Sequence, residues 1–329
     1  MFGKIIGTGA YIPERVLTNE DLTSYVETDN QWIIDRTGIE KRHVMKEETT
    51  VDMATMAAKR ALVSANIPSQ KIDLIIVSSV SSNVILPNAA CVVQSRIGAT
   101  NASCFDINSA CTGFLTAYNI AQSQINAGII ETALIIGSEG LSRLVDWSDR
   151  GTCILFGDGA GAVVLSREEN AVFETVMHAD GSQGEALTMD SAFAHRTRLI
   201  DNGMSVTDET QNKRQYIDMD GQSIFRFATR QVPECIDELL NKMNKSKDDI
   251  DLFVLHQANK RILQAIGRRL KVDEDKIPMN IMKYGNTSSA CIPILLNQLV
   301  TEGKVKAGDR IVMSGFGAGL TWGATYLEW

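Results

Sequence analysis

"SACTGFLTAYNIAQSQINAG", residues 109–128, returns near the other end of the chain as "SACIPILLNQLVTEGKVKAG", residues 289–308. In both copies 17 positions separate a cysteine (Cys111, Cys291) from a glycine (Gly128, Gly308). A buried-strand pattern then follows, "TALIIGSEG" (132–140) in the first and "RIVMSGFGAG" (310–319) in the second. Upstream, "KIDLIIVSS" (71–79) is matched by "DIDLFVLHQ" (249–257). Agreement in order, spacing and flanking strands marks a duplicated unit. The chain therefore reads as two halves, 1–170 and 171–329, joined near residues 165–175. Apolar residues at helical spacing predict helices over 50–65, 88–97, 111–127, 222–243, 257–270 and 289–302. Continuous apolar runs between them suit strands buried on both faces, hence a layered α/β body.

A net charge of −8 over 329 residues argues against nucleic acid as the main partner, while allowing a local basic patch. No apolar run approaches the roughly 18 residues of a membrane span. "MFGKIIGTGAYIP" enters a strand and a Gly-rich turn with no signal-peptide layout. Six cysteines, at 91, 104, 111, 153, 235 and 291, show neither metal-ligand spacing nor a disulfide framework. The expectation is a cytoplasmic protein with no metal and no membrane or nucleic-acid partner. Residues 190–215 are polar and aperiodic and predict a long surface excursion.

Cys111 stands where a strand-like run, "FDINS", gives way to an apolar helix. Buried cysteines often serve as small core hydrophobes. A thiol at a helix N-terminus, however, meets positive dipole and free N–H groups, which lower its pKa from about 8.5 and make it nucleophilic. Among four histidines, His256 ends the strand pattern "IDLFVL", where α/β sheets present their chemistry. His43 and His195 lie in polar surroundings without a matching element, and His178, in "HADGS", follows a strand-like run and reads as structural. Asn286 lies in "KYGNTSSACIP", which also reads as ordinary turn and N-cap chemistry. A pseudo-dyad between the halves would bring a thiol, an imidazole and an amide into one pocket, the layout for an acyl-thioester intermediate. The Gly-rich "SGFGAGLTWG" offers backbone N–H groups to a developing oxyanion. "GDGAGA" (157–162) lacks the dinucleotide-binding spacing and leads into another strand pattern.

"DINSACTGF", "DRGTCILFGDGAGA", "LHQANKRI", "YGNTSSACIP" and "FGAGLTWG" together resemble the β-ketoacyl-[acyl-carrier-protein] synthase III family, as does the N-terminal "IIGTGAYIP…NEDL…W…RTGI". The resemblance covers nearly the whole chain and implies a thiolase-like fold, a duplicated αβαβα unit with a central helix layer. It implies the starting reaction of type II fatty-acid synthesis: a short acyl-CoA and malonyl-acyl-carrier-protein condense with loss of carbon dioxide. Cys111, His256 and Asn286 would form the catalytic triad, with the Cys111 and Ala318 N–H groups as oxyanion hole.

Acyl-CoA is then a substrate, and no cofactor is implied. The matching CoA positions are Thr28, Trp32, Arg36, Arg150 and Phe156, then Met219, Gly221, Phe225 and Asn259. Trp32 would stack on adenine, and the two arginines would pair phosphates. The acidic carrier protein would dock on Gln257, Ala258, Asn259, Lys260 and Arg261, with Arg226, Arg268 and Arg269 alongside. In this family the residue matching Leu86 reaches across a homodimer interface to close the partner's acyl pocket. Leu where short-chain relatives often carry Phe implies that propionyl- or butyryl-CoA is used as well as acetyl-CoA. Three other readings compete: a same-fold starter enzyme of a polyketide or quinolone pathway, a thioester-binding protein without turnover, and a Cys-His-Asn hydrolase.

Overall fold

Residues 74–78, "LIIVS", are buried at every position, so this strand needs cover on both faces. The computed structural model, which describes residues 1–191 and 215–329, supplies that cover with five layers. Most of the polar stretch 190–215 therefore lies outside the described residues. The first sheet holds β1 (Phe2–Tyr11), β2 (Leu74–Ser78), β3 (Ser103–Ile107), β4 (Thr132–Gly140) and β5 (Asp158–Glu168), in the spatial order β1-β5-β4-β2-β3. The second holds β6 (Phe173–Ala179), β7 (Leu252–Leu255), β8 (Arg310–Gly317) and β9 (Thr321–Glu328), in the order β7-β8-β9-β6. In the first sheet β2 is parallel to β4 and to β3, while β5 is antiparallel to both neighbours. In the second, β7 is parallel to β8, and β9 is antiparallel to β8 and β6. Apart from β3, the two sheets share one topology.

The helices are α1 (Asn30–Thr37), α2 (Thr50–Ala65), α3 (Ala89–Ile97), α4 (Gly113–Asn126), α5 (Gly221–Lys242), α6 (Lys260–Leu270) and α7 (Cys291–Thr301). Helices α4 and α7 fill the space between the sheets: Phe114, Tyr118, Leu295 and Leu299 pack with Ile76 and Ile135 on one side and Val254 and Met313 on the other. Helices α2 and α3 cover the outer face of the first sheet, where Ala57, Ala61 and Val93 meet Ile75, Leu134 and Val164. Helices α5 and α6 cover the second, with Phe227, Ile236 and Leu263 against Phe253, Val312 and Tyr326. Among the described residues no helix is long and apolar enough to cross a membrane.

The register of the repeat differs from the one the tripeptide "SAC" suggests. Leu74 to Leu252, Thr132 to Arg310 and Gly113 to Cys291 are each steps of 178 residues between equivalent element starts. Matching hydrogen bonds fix that step: Thr132 N–H donates to Asp73 at 2.9 Å, and Arg310 N–H donates to Asp251 at 2.8 Å. One-turn 3-10 helices precede α4 and α7, Ala110–Thr112 and Ser288–Ala290, and both open on a left-handed residue, Ala110 (φ 45°) and Ser288 (φ 47°). The counterpart of Cys111 is therefore Ser289, and Cys291 answers Gly113. Identity of three letters misaligned the halves by two residues, because the turn conformation, not the tripeptide, sets where each helix begins.

Candidate active site

The 3-10 turn carrying Cys111 and the one carrying Ser288 pack against each other at the centre of the molecule. Close approach is possible because glycine faces each turn. A Cβ on Gly137 would stand 2.4 Å from the Ser289 carbonyl oxygen, and one on Gly317 would stand 2.7 Å from the Cys111 nitrogen. The Cys111 thiol donates to Ser288 Oγ at 3.3 Å. Beneath the turns, the buried Glu139 carboxylate accepts from Ser81 Oγ at 2.6 Å, Ser289 Oγ at 2.7 Å and Val80 N–H at 3.1 Å. Burial raises its pKa against those hydrogen bonds.

His256 follows β7, its own N–H donating to Ser314 at 2.8 Å and its ring set edge-on to Phe316 at 5.3 Å. Its Nδ1 lies 2.8 Å from Cys291 Sγ. Asn286 is held by backbone: its N–H donates to Leu155 at 2.8 Å and its carbonyl accepts from Gly157 at 3.0 Å. Its side-chain Oδ1 accepts from Ser288 N–H at 2.9 Å, which leaves the amide hydrogens on Nδ2 for the cavity. Cys111, His256 and Asn286 line one cavity of about 110 Å³ together with Phe156, Met219, Gly221, Phe225 and Asn259.

Burial dominates the electrostatics. It lowers the His256 pKa to about 3, so the imidazole is neutral in the physiological range. It pushes the Cys111 thiol up to about 12, with Glu139 adding to the rise and the Ser288 hydrogen bond opposing it. This corrects the expectation of a thiol acidified by the helix terminus. In this pocket loss of hydration outweighs the helix dipole, and Cys111 rests as an S–H group.

The other residues singled out in the sequence fall into a path and a rim. Arg36, Gly221, Phe225, Arg226, Asn259 and Arg261 line a mouth of about 410 Å³. Asn259 ties it together, capping α6 through the Arg261 N–H at 2.8 Å and donating to the Arg36 carbonyl at 3.0 Å. Arg36 and Arg150 each stack over the Trp32 indole at 4.5 Å, and Arg150 also donates to the Glu27 carbonyl at 2.9 Å. The Thr28 hydroxyl is buried with no partner among the described residues. Ala318 joins Cys111 in a second cavity of about 540 Å³, lined further by Val80, Leu141, Leu144, Phe156 and Ile217.

Lys260, Arg261, Arg226, Arg268 and Arg269 are exposed. Gln257 (0 % exposed) and Ala258 (9 %) are buried and offer no docking surface. Gln257 is an internal strut, donating to the Leu255 carbonyl at 2.9 Å and accepting from Asn280 N–H at 3.0 Å. The charge of Arg269 is engaged by Glu234 at 3.0 Å. Leu86 is 89 % exposed and lines none of these three cavities of its own chain. His43 and His178 are occupied elsewhere, by Pro13 O at 2.6 Å and Glu238 at 2.8 Å, and His195 lies outside the described residues. Among the described residues no group of three or more His, Cys, Asp or Glu side chains could hold a metal ion. Sequence reasoning missed Ser288, Phe316 and Glu139. Of these only Ser288 carried a signal, two residues beyond Asn286 in the same turn.

A family profile described as 3-Oxoacyl-[acyl-carrier-protein (ACP)] synthase III matches residues 105–181, and one for the C-terminal part of that family matches residues 240–329. A β-ketoacyl-[acyl-carrier-protein] synthase III from Clostridium perfringens is 44% identical over 327 residues, covering 99% of this chain and 98% of the relative. The crystal structure of the 3-oxoacyl-[acyl-carrier-protein] synthase III of Aquifex aeolicus superposes with a TM-score of 0.91 at 44% identity, covering 99% of this chain and 100% of that one. The priming β-ketosynthase of the R1128 polyketide pathway has the same TM-score, 0.91, but 32% identity, over 99% of this chain and 96% of its own.

The raised thiol pKa has a direct consequence. Thiolate grows tenfold per pH unit below the pKa, so alkylation of Cys111 by iodoacetamide, followed by peptide mass, should climb steadily from about pH 7 to about pH 10. A plateau reached below about pH 8 would show that the helix terminus holds a thiolate after all.

Proposed function

The chain belongs to the β-ketoacyl-[acyl-carrier-protein] synthase III family of acyltransferases, the initiating condensing enzymes of fatty-acid synthesis, and on that premise we propose how its residues divide the reaction. Half 1–170 supplies the nucleophile and half 171–329 the two donors. Cys111 Sγ attacks the thioester carbonyl of a short acyl-CoA. The Cys111 and Ala318 N–H groups stabilise the oxyanion, and CoA leaves with the proton the thiol gives up. Malonyl-acyl-carrier-protein then enters, and its bond to the carboxylate breaks to release carbon dioxide. The electron pair moves onto the thioester oxygen as an enolate, where His256 and the Asn286 amide donate hydrogen bonds. The enolate carbon attacks the Cys111 thioester, expelling the cysteine sulfur and forming β-ketoacyl-carrier-protein.

One observation carries this reading: a single small cavity brings a protonated thiol beside two neutral groups able to donate hydrogen bonds. Neutral donors suit an enolate, which gains negative charge only as the carboxylate leaves. The mouth would take the CoA nucleotide, with adenine displacing a guanidinium over Trp32 and Arg36 meeting phosphate. The same reading assigns the reaction to the cytoplasm, which six free thiols suit.

Intact-mass analysis with acetyl-CoA tests the nucleophile, and Cys111→Ala should remove the acetyl adduct. His256→Ala and Asn286→Ala should keep the adduct but slow decarboxylation of malonyl-carrier-protein by about 100- to 1,000-fold, the scale of losing one oxyanion donor. Equal loss of both half-reactions would refute that division. Hydrolysis of acetyl-CoA without the malonyl acceptor would instead mark a hydrolase.

The carrier protein would dock on the basic rim of α6. Arg268 is exposed there and lies outside the mouth that Arg261 lines. Arg268→Glu should raise KM for malonyl-carrier-protein and flatten its salt dependence, with acyl transfer from CoA untouched. An unchanged KM would move the dock elsewhere.

We also propose a homodimer in which the exposed pair Ile85 and Leu86 is covered by the partner, Leu86 closing the partner's acyl pocket. A leucine leaves that pocket longer than a phenylalanine would, by roughly one or two methylenes at about 0.8 kcal/mol each. Leu86→Phe should therefore cut kcat/KM for butyryl-CoA about tenfold while sparing acetyl-CoA. If the wild type already rejects butyryl-CoA, Leu86 is not the gate.

A further inference from the structure

Cys291 has no place in the reaction above, yet its sulfur lies 2.8 Å from His256 Nδ1, and both side chains are buried. Only one hydrogen lies between a neutral imidazole nitrogen and a thiol, and two arrangements compete. Either Nδ1–H donates to sulfur, or S–H donates to a bare Nδ1. The surroundings decide between them. The backbone N–H of Gln257 already points at Cys291 Sγ from 3.4 Å, occupying the sulfur as an acceptor. Burial pushes the Cys291 thiol far above its ordinary range, so it keeps its hydrogen. Among the described residues no other acceptor for that hydrogen is as near as Nδ1.

We infer that Cys291 is a positioning residue that holds His256 in the tautomer with its hydrogen on Nε2, presenting an N–H to the cavity shared with Cys111 and Asn286. The two donors are then oriented by one device. Ser288 N–H ties up the acceptor oxygen of Asn286, and the Cys291 thiol ties up the acceptor nitrogen of His256. The opposite tautomer would aim a lone pair at the forming enolate and repel it. The repeat explains why a side chain is available: the counterpart of Cys291 is Gly113, where a Cβ would stand 1.9 Å from Ser78 Oγ. One half has closed this position, and the other has filled it with a hydrogen-bond donor.

This inference rests on the proposed role of His256, and its test separates the two. Ring nitrogen NMR of histidine-labelled, ligand-free protein reads the tautomer directly, with the His256 signals assigned by their loss in His256→Asn. The wild type should show a bare Nδ1 and a protonated Nε2. Cys291→Ala should mix the tautomers and lower kcat for condensation about three- to tenfold, the scale of one net hydrogen bond, with acylation of Cys111 unchanged. Cys291→Ser keeps a donor and should restore both the tautomer and most of kcat. A protonated Nδ1 in the wild type overturns the inference, as does an alanine variant that keeps both tautomer and kcat. A variant that loses acylation and condensation alike, with its tautomer intact, also overturns it, since that marks a merely structural role. Failure of the wild type to take an acyl group would instead overturn the functional reading.

Discussion

Two one-turn helices pressed together under five layers set the terms for everything else in this molecule. Each turn brings a helix start and a polar side chain to the same place, and glycines 137 and 317 let the backbones approach within van der Waals range. Cys111 and His256 are buried as a result. A charged imidazole or an isolated thiolate would cost several kcal/mol there, so both groups rest neutral. The site therefore begins with no formal charge on its triad, unlike a site built on an imidazolium–thiolate pair.

That neutrality moves the burden from charge to orientation. A neutral imidazole or amide presents either a hydrogen or a lone pair to a given point, and only the hydrogen stabilises an enolate. Asn286 is fixed by a backbone N–H on its oxygen, and the peptide groups of Leu155 and Gly157 lock its main chain from both sides. His256 has backbone anchors at Ser314 and Ala258 and an aromatic edge at Phe316. Acylation asks less of these donors, because the oxyanion formed at Cys111 is assigned to backbone N–H groups.

The sequence disclosed a good deal of this and missed the rest for definable reasons. Strands such as 74–78 and 132–140 were legible because burial on both faces leaves an uninterrupted apolar run. The proposed triad could be picked out because Cys111 and His256 stand at element ends and Asn286 lies in a turn leading into a helix. Helix 260–270 begins three residues later than the apolar spacing from 257 suggests, because Gln257 and Ala258 are turned into the core and Asn259 is the cap. The register slipped by two because the tripeptide matches while the turns do not. The thiol's pKa was misjudged because helix dipoles can be read from position, whereas desolvation depends on what packs around the group from distant segments. Glu139 and Phe316 were invisible for the same reason: nothing local marks a residue that matters only through a neighbour about 150 or 60 positions away.

The corrected register also shows how the two equivalent turns differ. Cys111 and Ser289 occupy equivalent turns, and each backbone nitrogen lies at the end of a strand from the other half, Gly317 for Cys111 and Glu139 for Ser289. The Ser289 N–H meets Glu139, whose carboxylate accepts from both the backbone and the hydroxyl of that serine. The equivalent of Glu139 is Gly317, which has no side chain to offer Cys111. One nitrogen thus meets a carboxyl group of the protein, and the other meets a glycine. A carboxyl group stands at one turn, and a glycine leaves the equivalent position at the other without a side chain. On this argument the asymmetry between the halves lies in which side chains were removed as much as in which were gained. The buried Glu139 gathers Ser81, Ser289 and Val80 N–H at the turn that carries no cysteine thiol.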